Sequence, residues 1–123
     1  MTKKELKQIL LLYTQVEKAL LRKMETVEIK KNRRKERITI KSWMYKLPEI
    51  IGLIEENEND AIVKTIIKMN IRKRENDKRV LQNIAVSEST YYRLKRQIVE
   101  KIYNMYVILG EVKLKEILSE QIY

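Results

Sequence analysis

At 123 residues and 44% hydrophobic content the chain is expected to make one domain, or one domain with a helical appendage, and wholesale disorder is not expected. Twenty-seven Lys and Arg against seventeen Asp and Glu leave a net charge of +10, a surface whose commonest partners are phosphate polyanions. With no Cys and no His, disulfides, thiolate or histidine metal sites and histidine acid–base catalysis are all removed.

Two glycines, one proline and no Phe argue for long helices over a many-turned β fold, so the expected fold class is all-α. No Gly-rich phosphate loop or other catalytic signature is present, and neither an enzyme nor a cofactor is expected. Gln8 and the charges after it spoil a signal peptide, and no apolar run approaches the roughly 18 residues a membrane span needs. The expected location is therefore cytoplasmic, with no membrane partner. Heavy use of Ile and Lys fits an A·T-rich bacterial or phage genome.

Leu6, Ile9, Tyr13, Val16, Leu20, Met24 and Val27 recur at helical spacing and predict one amphipathic helix from about Lys3 to Glu28, within an N-terminal unit 1–29. The near-heptad rhythm suits a helical hairpin or a two-stranded coil, so a homodimer through this helix is a candidate assembly. Leu10, Leu11, Leu12 and Leu21 widen the stripe beyond a single seam.

Residues 30–46 read as a basic linker. Within it, KKNRRKERITIK holds Lys30, Lys31, Arg33, Arg34, Lys35, Arg37 and Lys41 against one acid, Glu36. Such a block is either a solvated connection or a loose arm laid along phosphates, with Arg33, Arg34, Lys35 and Arg37 as its contacts. Trp43, beside Met44 and Tyr45, is expected to anchor the linker to the bundle.

Residues 47–110 read as one helical unit. Pro48 suits the first turn of a helix whose buried face is Ile50, Ile51, Leu53 and Ile54. EENEND breaks it, and Asn59 or Asp60 caps the next helix, which buries Ile62, Val63, Ile66 and Ile67, with Met69 and Ile71 as further candidates, and ends in basic IRKREN. Asp77 is the expected cap of a short helix carrying Val80, Leu81 and Ile84. After a tight turn at Ala85 and Val86, Ser87 can cap a long helix with a buried stripe of Tyr91, Leu94, Ile98 and Ile102. Helix, short turn, helix is the layout of a helix-turn-helix.

With that stripe inward, the opposite face presents Glu88, Ser89, Tyr92 and Arg93 as base-reading candidates. Arg93 has the fork for guanine O6 and N7, while Glu88 and Ser89 can accept from base amines. Ser87, Thr90, Lys95 and Arg96, joined by Lys78 and Arg79 of the shorter helix, are the phosphate candidates.

VSESTYYRLKR, residues 86–96, resembles the recognition helix of the ArpU/RinA-like phage regulators of late gene transcription, themselves similar to the promoter-reading region 4 of bacterial sigma factors. The resemblance is close over about 25 residues and extends by layout to roughly 47–109. It implies a sigma-like, four-helix module acting on duplex DNA at a prophage promoter, nucleoid-associated in a bacterial host, with RNA polymerase as a further candidate partner. On that pattern Glu88, Ser89 and Arg93 face the groove and Tyr91 the core. The chain departs from it at Leu81, where a small residue is usual, which implies a wider helix crossing. Two other classes fit the composition: a packaging component like a small terminase subunit, and a basic helical adaptor for protein or RNA.

Beyond this unit, Tyr103, Met105 and Tyr106 read as core and Gly110 as a stop signal. Residues 111–123 predict a short amphipathic helix through Leu114, Ile117, Leu118 and Ile122.

Overall fold

The computed structural model describes residues 1–31 and 33–121. Among the described residues, seven α-helices carry most of the chain, and one two-stranded antiparallel sheet interrupts them. The chain is thus mostly helical but not all-α.

The first helix, α1 (Lys3–Leu11), starts with a capping box: Glu5 N–H donates to Thr2 Oγ1 at 3.1 Å and Thr2 N–H to Glu5 Oε1 at 3.2 Å. The single long helix expected here is broken. Leu12 leaves helical geometry at φ −112°, α2 (Tyr13–Leu21) follows, and Lys23 turns the chain at φ 52°. Leu10, Leu11 and Leu12 cannot all face one side, and the kink lets Leu6, Ile9, Tyr13 and Val16 reach the same core. The near-heptad stripe from Leu6 to Leu20 is therefore buried within the chain itself, whereas Met24, beyond the end of α2, is exposed. Leu11 and Leu21 remain the exposed large apolar residues of these two helices.

The basic linker is a β-hairpin. Strands β1 (Thr26–Lys31) and β2 (Arg34–Thr39) pair with Val27 opposite Ile38, Ile29 opposite Glu36 and Lys30 opposite Lys35. Alternation of Val27 and Ile29, buried, with Glu28 and Lys30, exposed, is the period of two that a half-buried strand needs. Val27 satisfies both a helical and a strand rhythm, which is why the helix was expected to run through it. Arg33 at φ 65° supplies the left-handed geometry a two-residue hairpin connection requires.

A 3-10 turn (Ser42–Lys46) buries Trp43 and Met44 and leads into α3 (Leu47–Asn57), with Pro48 in its first turn. Trp43 meets the Tyr106 ring edge-on at 5.5 Å, and Tyr106 Oη donates to the Trp43 carbonyl at 2.8 Å. The anchoring role expected of Trp43 is met. Leu53 departs from its expected place: Ile50 and Ile51 are buried, but Leu53 is 40% exposed.

Asp60 caps α4 (Ala61–Ile66), its carboxylate accepting from Ile62 N–H at 2.8 Å. The helix widens into a π-helical turn (Ile67–Arg72) that buries Ile67, Asn70 and Ile71. Arg72 ties this turn to α3 through Glu55 at 2.6 Å. α5 (Asp77–Gln82) is capped by Asn76, whose side chain accepts from Arg79 N–H at 2.9 Å, and not by Asp77.

The longest element, α6 (Glu88–Ile108), is capped by Ser87, which accepts from Thr90 N–H at 3.2 Å. It ends at Gly110, φ 75°, where Glu111 N–H reaches the Tyr106 carbonyl. In α7 (Leu114–Gln121) the expected stripe is barely used. Leu114 and Leu118 are 69% and 52% exposed, Ile117 packs on the core, and Ile122 lies outside the described residues. One buried cluster runs from Leu6 on α1 to Val112 beyond α6, so the N-terminal helices and the bundle share a core. Among the described residues, no helix is long and apolar enough to cross a membrane.

Candidate nucleic-acid interface

The α5–turn–α6 unit is held by one carboxylate. Asp77 Oδ1 accepts from Tyr91 Oη at 2.6 Å, Lys95 Nζ at 2.9 Å and Asn70 Nδ2 at 3.2 Å. Tyr91 is fully buried, so the first two turns of α6, the start of α5 and the π-helical turn are pinned to one point. Burial pushes the Asp77 carboxyl up, but the Tyr91 and Lys95 bonds outweigh it and hold the group below the usual range. The same contact, after burial, pushes the Tyr91 hydroxyl well above its ordinary value.

With Tyr91, Ile98 and Ile102 inward, Glu88, Ser89, Tyr92, Arg93 and Arg96 are all exposed on α6. Ser89 Oγ and Thr90 Oγ1 lie 3.2 and 2.9 Å from Ser87 Oγ, so three hydroxyls gather at the helix start. A helix N-terminus with free amides and hydroxyls is a favourable seat for a phosphate. Leu94, expected in the buried stripe, is only half-buried.

Lys95 is not available as a loose phosphate contact. It is engaged by Asp77 and lies over the Tyr91 and Tyr92 rings at 5.6 and 5.8 Å. On α5, Lys78 is exposed, and Arg79 is exposed with Glu75 at 3.6 Å.

The hairpin and α6 are brought together through α1. At the start of α1, Lys3 pairs with Glu100 of α6 at 2.6 Å and Glu5 with Lys41 at the hairpin base at 2.6 Å. At its end, Leu11 lines one groove with Tyr92 and Arg96 and another with Ile29, Lys30 and Glu36. Both α6 and the hairpin thus run alongside α1, and the hairpin turn lies toward the end at which α6 begins. Arg33, Arg34, Lys35 and Arg37 are exposed there, with Lys35 3.7 Å from Glu28. A two-stranded ribbon is one of the shapes a DNA groove admits.

The sequence reading missed Lys7 and Arg74, which flank Tyr92 and Arg96 across a groove. Neither is near α6 in sequence: Arg74 falls in the basic IRKREN, which local chemistry marks only as a helix end, and no local pattern marks Lys7. Among the described residues, no cluster of acidic side chains could hold a metal ion.

No family model matches this chain, and no curated protein or solved structure matches it.

Proposed function

We propose that the chain is a DNA-binding transcription regulator of phage type, reading duplex DNA with the exposed face of α6 and gripping the flanking backbone with the basic hairpin. The observation that carries this reading is the shared placement of the two features: Ser89, Arg93 and Arg96 on the start of α6, and the Arg33–Arg37 tip turned toward the same end. Glu88, Ser89, Tyr92 and Arg93 read base edges. Ser87, Thr90, Arg96, Lys78, Arg79 and the hairpin arginines hold phosphates, while Lys95 positions α6 through Asp77. The protein acts by binding rather than catalysis and sits wherever its duplex sites are, which for this reading is the bacterial nucleoid.

RNA polymerase is the partner an activator of this type would need. A homodimer through the N-terminal helices would use Leu11 and Leu21, since the heptad-like stripe is buried. Selection of bound fragments from random duplexes tests the reading: enrichment of one motif supports it, and binding with no enrichment overturns base reading. Mass in solution separates the nearest alternative, because a ring of about eight copies or more would point to packaging.

A further inference from the structure

Between α1, the π-helical turn and the first four turns of α6 lies an open groove of about 310 Å³. Its floor is apolar, built from Leu10, Leu11, Ile71 and Val99, and the Tyr92 ring forms a wall. Its rim is cationic, with Lys7, Arg74 and Arg96. Two other charged groups at the rim are already answered: Lys95 by Asp77 at 2.9 Å, and Glu100 by Lys3 at 2.6 Å. Among the described residues no carboxylate pairs with Lys7, Arg74 or Arg96, and Arg74 donates instead to the Asn70 carbonyl at 3.0 Å.

An apolar floor beneath three cations with no carboxylate in salt-bridge reach calls for a ligand with the opposite layout. The volume lies at the small end of the range for ligand sites, which starts near 300 Å³. That is too small for a docked helix and suited to a ring system or a short acyl chain. The π-helical turn contributes Asn70 and Ile71 to the lining, and such widened turns often occur at functional sites.

We propose that this groove binds a small amphipathic anion, a carboxylate carried on an aromatic or short acyl body. The carboxylate meets Lys7, Arg74 and Arg96, and the body lies on Val99 and Leu10 against Tyr92. The regulatory consequence rests on the DNA-reading role of α6: Tyr92 and Arg96 serve both partners, so an occupied groove lowers affinity for DNA.

The site is tested without DNA, on the full chain. 8-Anilinonaphthalene-1-sulfonate, an apolar sulfonate, is titrated by fluorescence, with octanoate and octanol as competitors. Expected are saturable one-to-one binding, displacement by octanoate well ahead of octanol, and an affinity about tenfold weaker in Val99→Trp, whose indole fills the groove. Lys7→Gln should weaken binding about fivefold, the upper range for one exposed charge. Methyl shifts of the unmodified protein keep the site decidable if Val99→Trp does not fold. Octanoate should move Leu10, Ile71 and Val99; shifts confined to other grooves overturn the site. Octanol competing as well as octanoate overturns the role of the rim. Unchanged DNA affinity with octanoate bound overturns the coupling alone, whereas a failure to read DNA leaves the dye titration untouched.

Discussion

Tyr91 Oη donates a 2.6 Å hydrogen bond to Asp77 Oδ1, and Lys95 Nζ meets the same oxygen at 2.9 Å. This carboxylate is the joint between α5 and α6. A hydrogen bond to a charged group contributes about 2 kcal/mol, so Tyr91→Phe should destabilise the fold by about that amount. Asp77→Ala should cost more, because it also leaves the buried Tyr91 hydroxyl without its acceptor. Thermal and urea unfolding measure both. Equal stability in all three proteins would mean that the joint does not hold the helices.

Stability should fall at both ends of the pH scale. Glu5, held low first by its bond to Lys41, and Asp77, held low by Tyr91 and Lys95 against burial, both have depressed folded-state values. Their contribution is present at neutral pH and is lost as pH drops below the ordinary values of 4.5 and 3.8. Tyr13, Tyr91 and Tyr106 are pushed up, first by burial, so the stability they favour is intact below the ordinary 10.0 and is lost as pH rises beyond it. Melting temperature against pH should decline less steeply in acid for Asp77→Asn than for the unmodified chain. Phenolate absorbance should rise in two stages, the second coinciding with loss of helical circular dichroism. A single early stage covering all seven tyrosines would show that none is held neutral by the fold.

Arg93 is exposed on the second turn of α6, one turn beyond Ser89. If it makes a paired contact to guanine, Arg93→Ala should cost roughly 1–3 kcal/mol on a preferred duplex and little on a random one. Fluorescence anisotropy on the two duplexes decides the matter. Equal losses on both would reduce Arg93 to a phosphate contact.

The hairpin should act through charge alone. Each phosphate neutralised lowers log K by about 0.9 per decade of salt, so four contacts give a slope of about 3.5. Replacing Arg33, Arg34, Lys35 and Arg37 with Gln should flatten the slope by that much and weaken every duplex alike. The substituted strand keeps Ile38 against Val27, so circular dichroism should be preserved. An unchanged slope would make the hairpin a solvated ornament. Loss of the preferred-to-random ratio would mean that it reads a groove.

Much of α6 and its surroundings was legible in the sequence. Ser87 as cap, Tyr91, Ile98 and Ile102 as the buried stripe, Gly110 as the stop and Asp60 as the cap of α4 all fall where local chemistry put them. Caps satisfy orphan amides within a few residues, and helical periodicity is read from one segment. Neither needs to know what lies across the core. The exposure of Glu88, Ser89, Tyr92, Arg93 and Arg96 followed from the same stripe.

Elsewhere the decision belonged to the tertiary structure. Whether the chain from Thr26 to Glu28 continued as helix or paired as a strand depended on a partner strand, because Val27 fits both periods. Leu53, Leu114 and Leu118 have the spacing of buried residues, yet the described elements leave them 40%, 69% and 52% exposed. Lys95 carries the chemistry of a phosphate contact, but Asp77, eighteen residues earlier, engages it first. Lys7 and Arg74 meet Tyr92 and Arg96 only because α1 folds back along α6. A chain carries its caps and periodicities in neighbouring residues, whereas pairings across the core depend on which distant surfaces can be buried together.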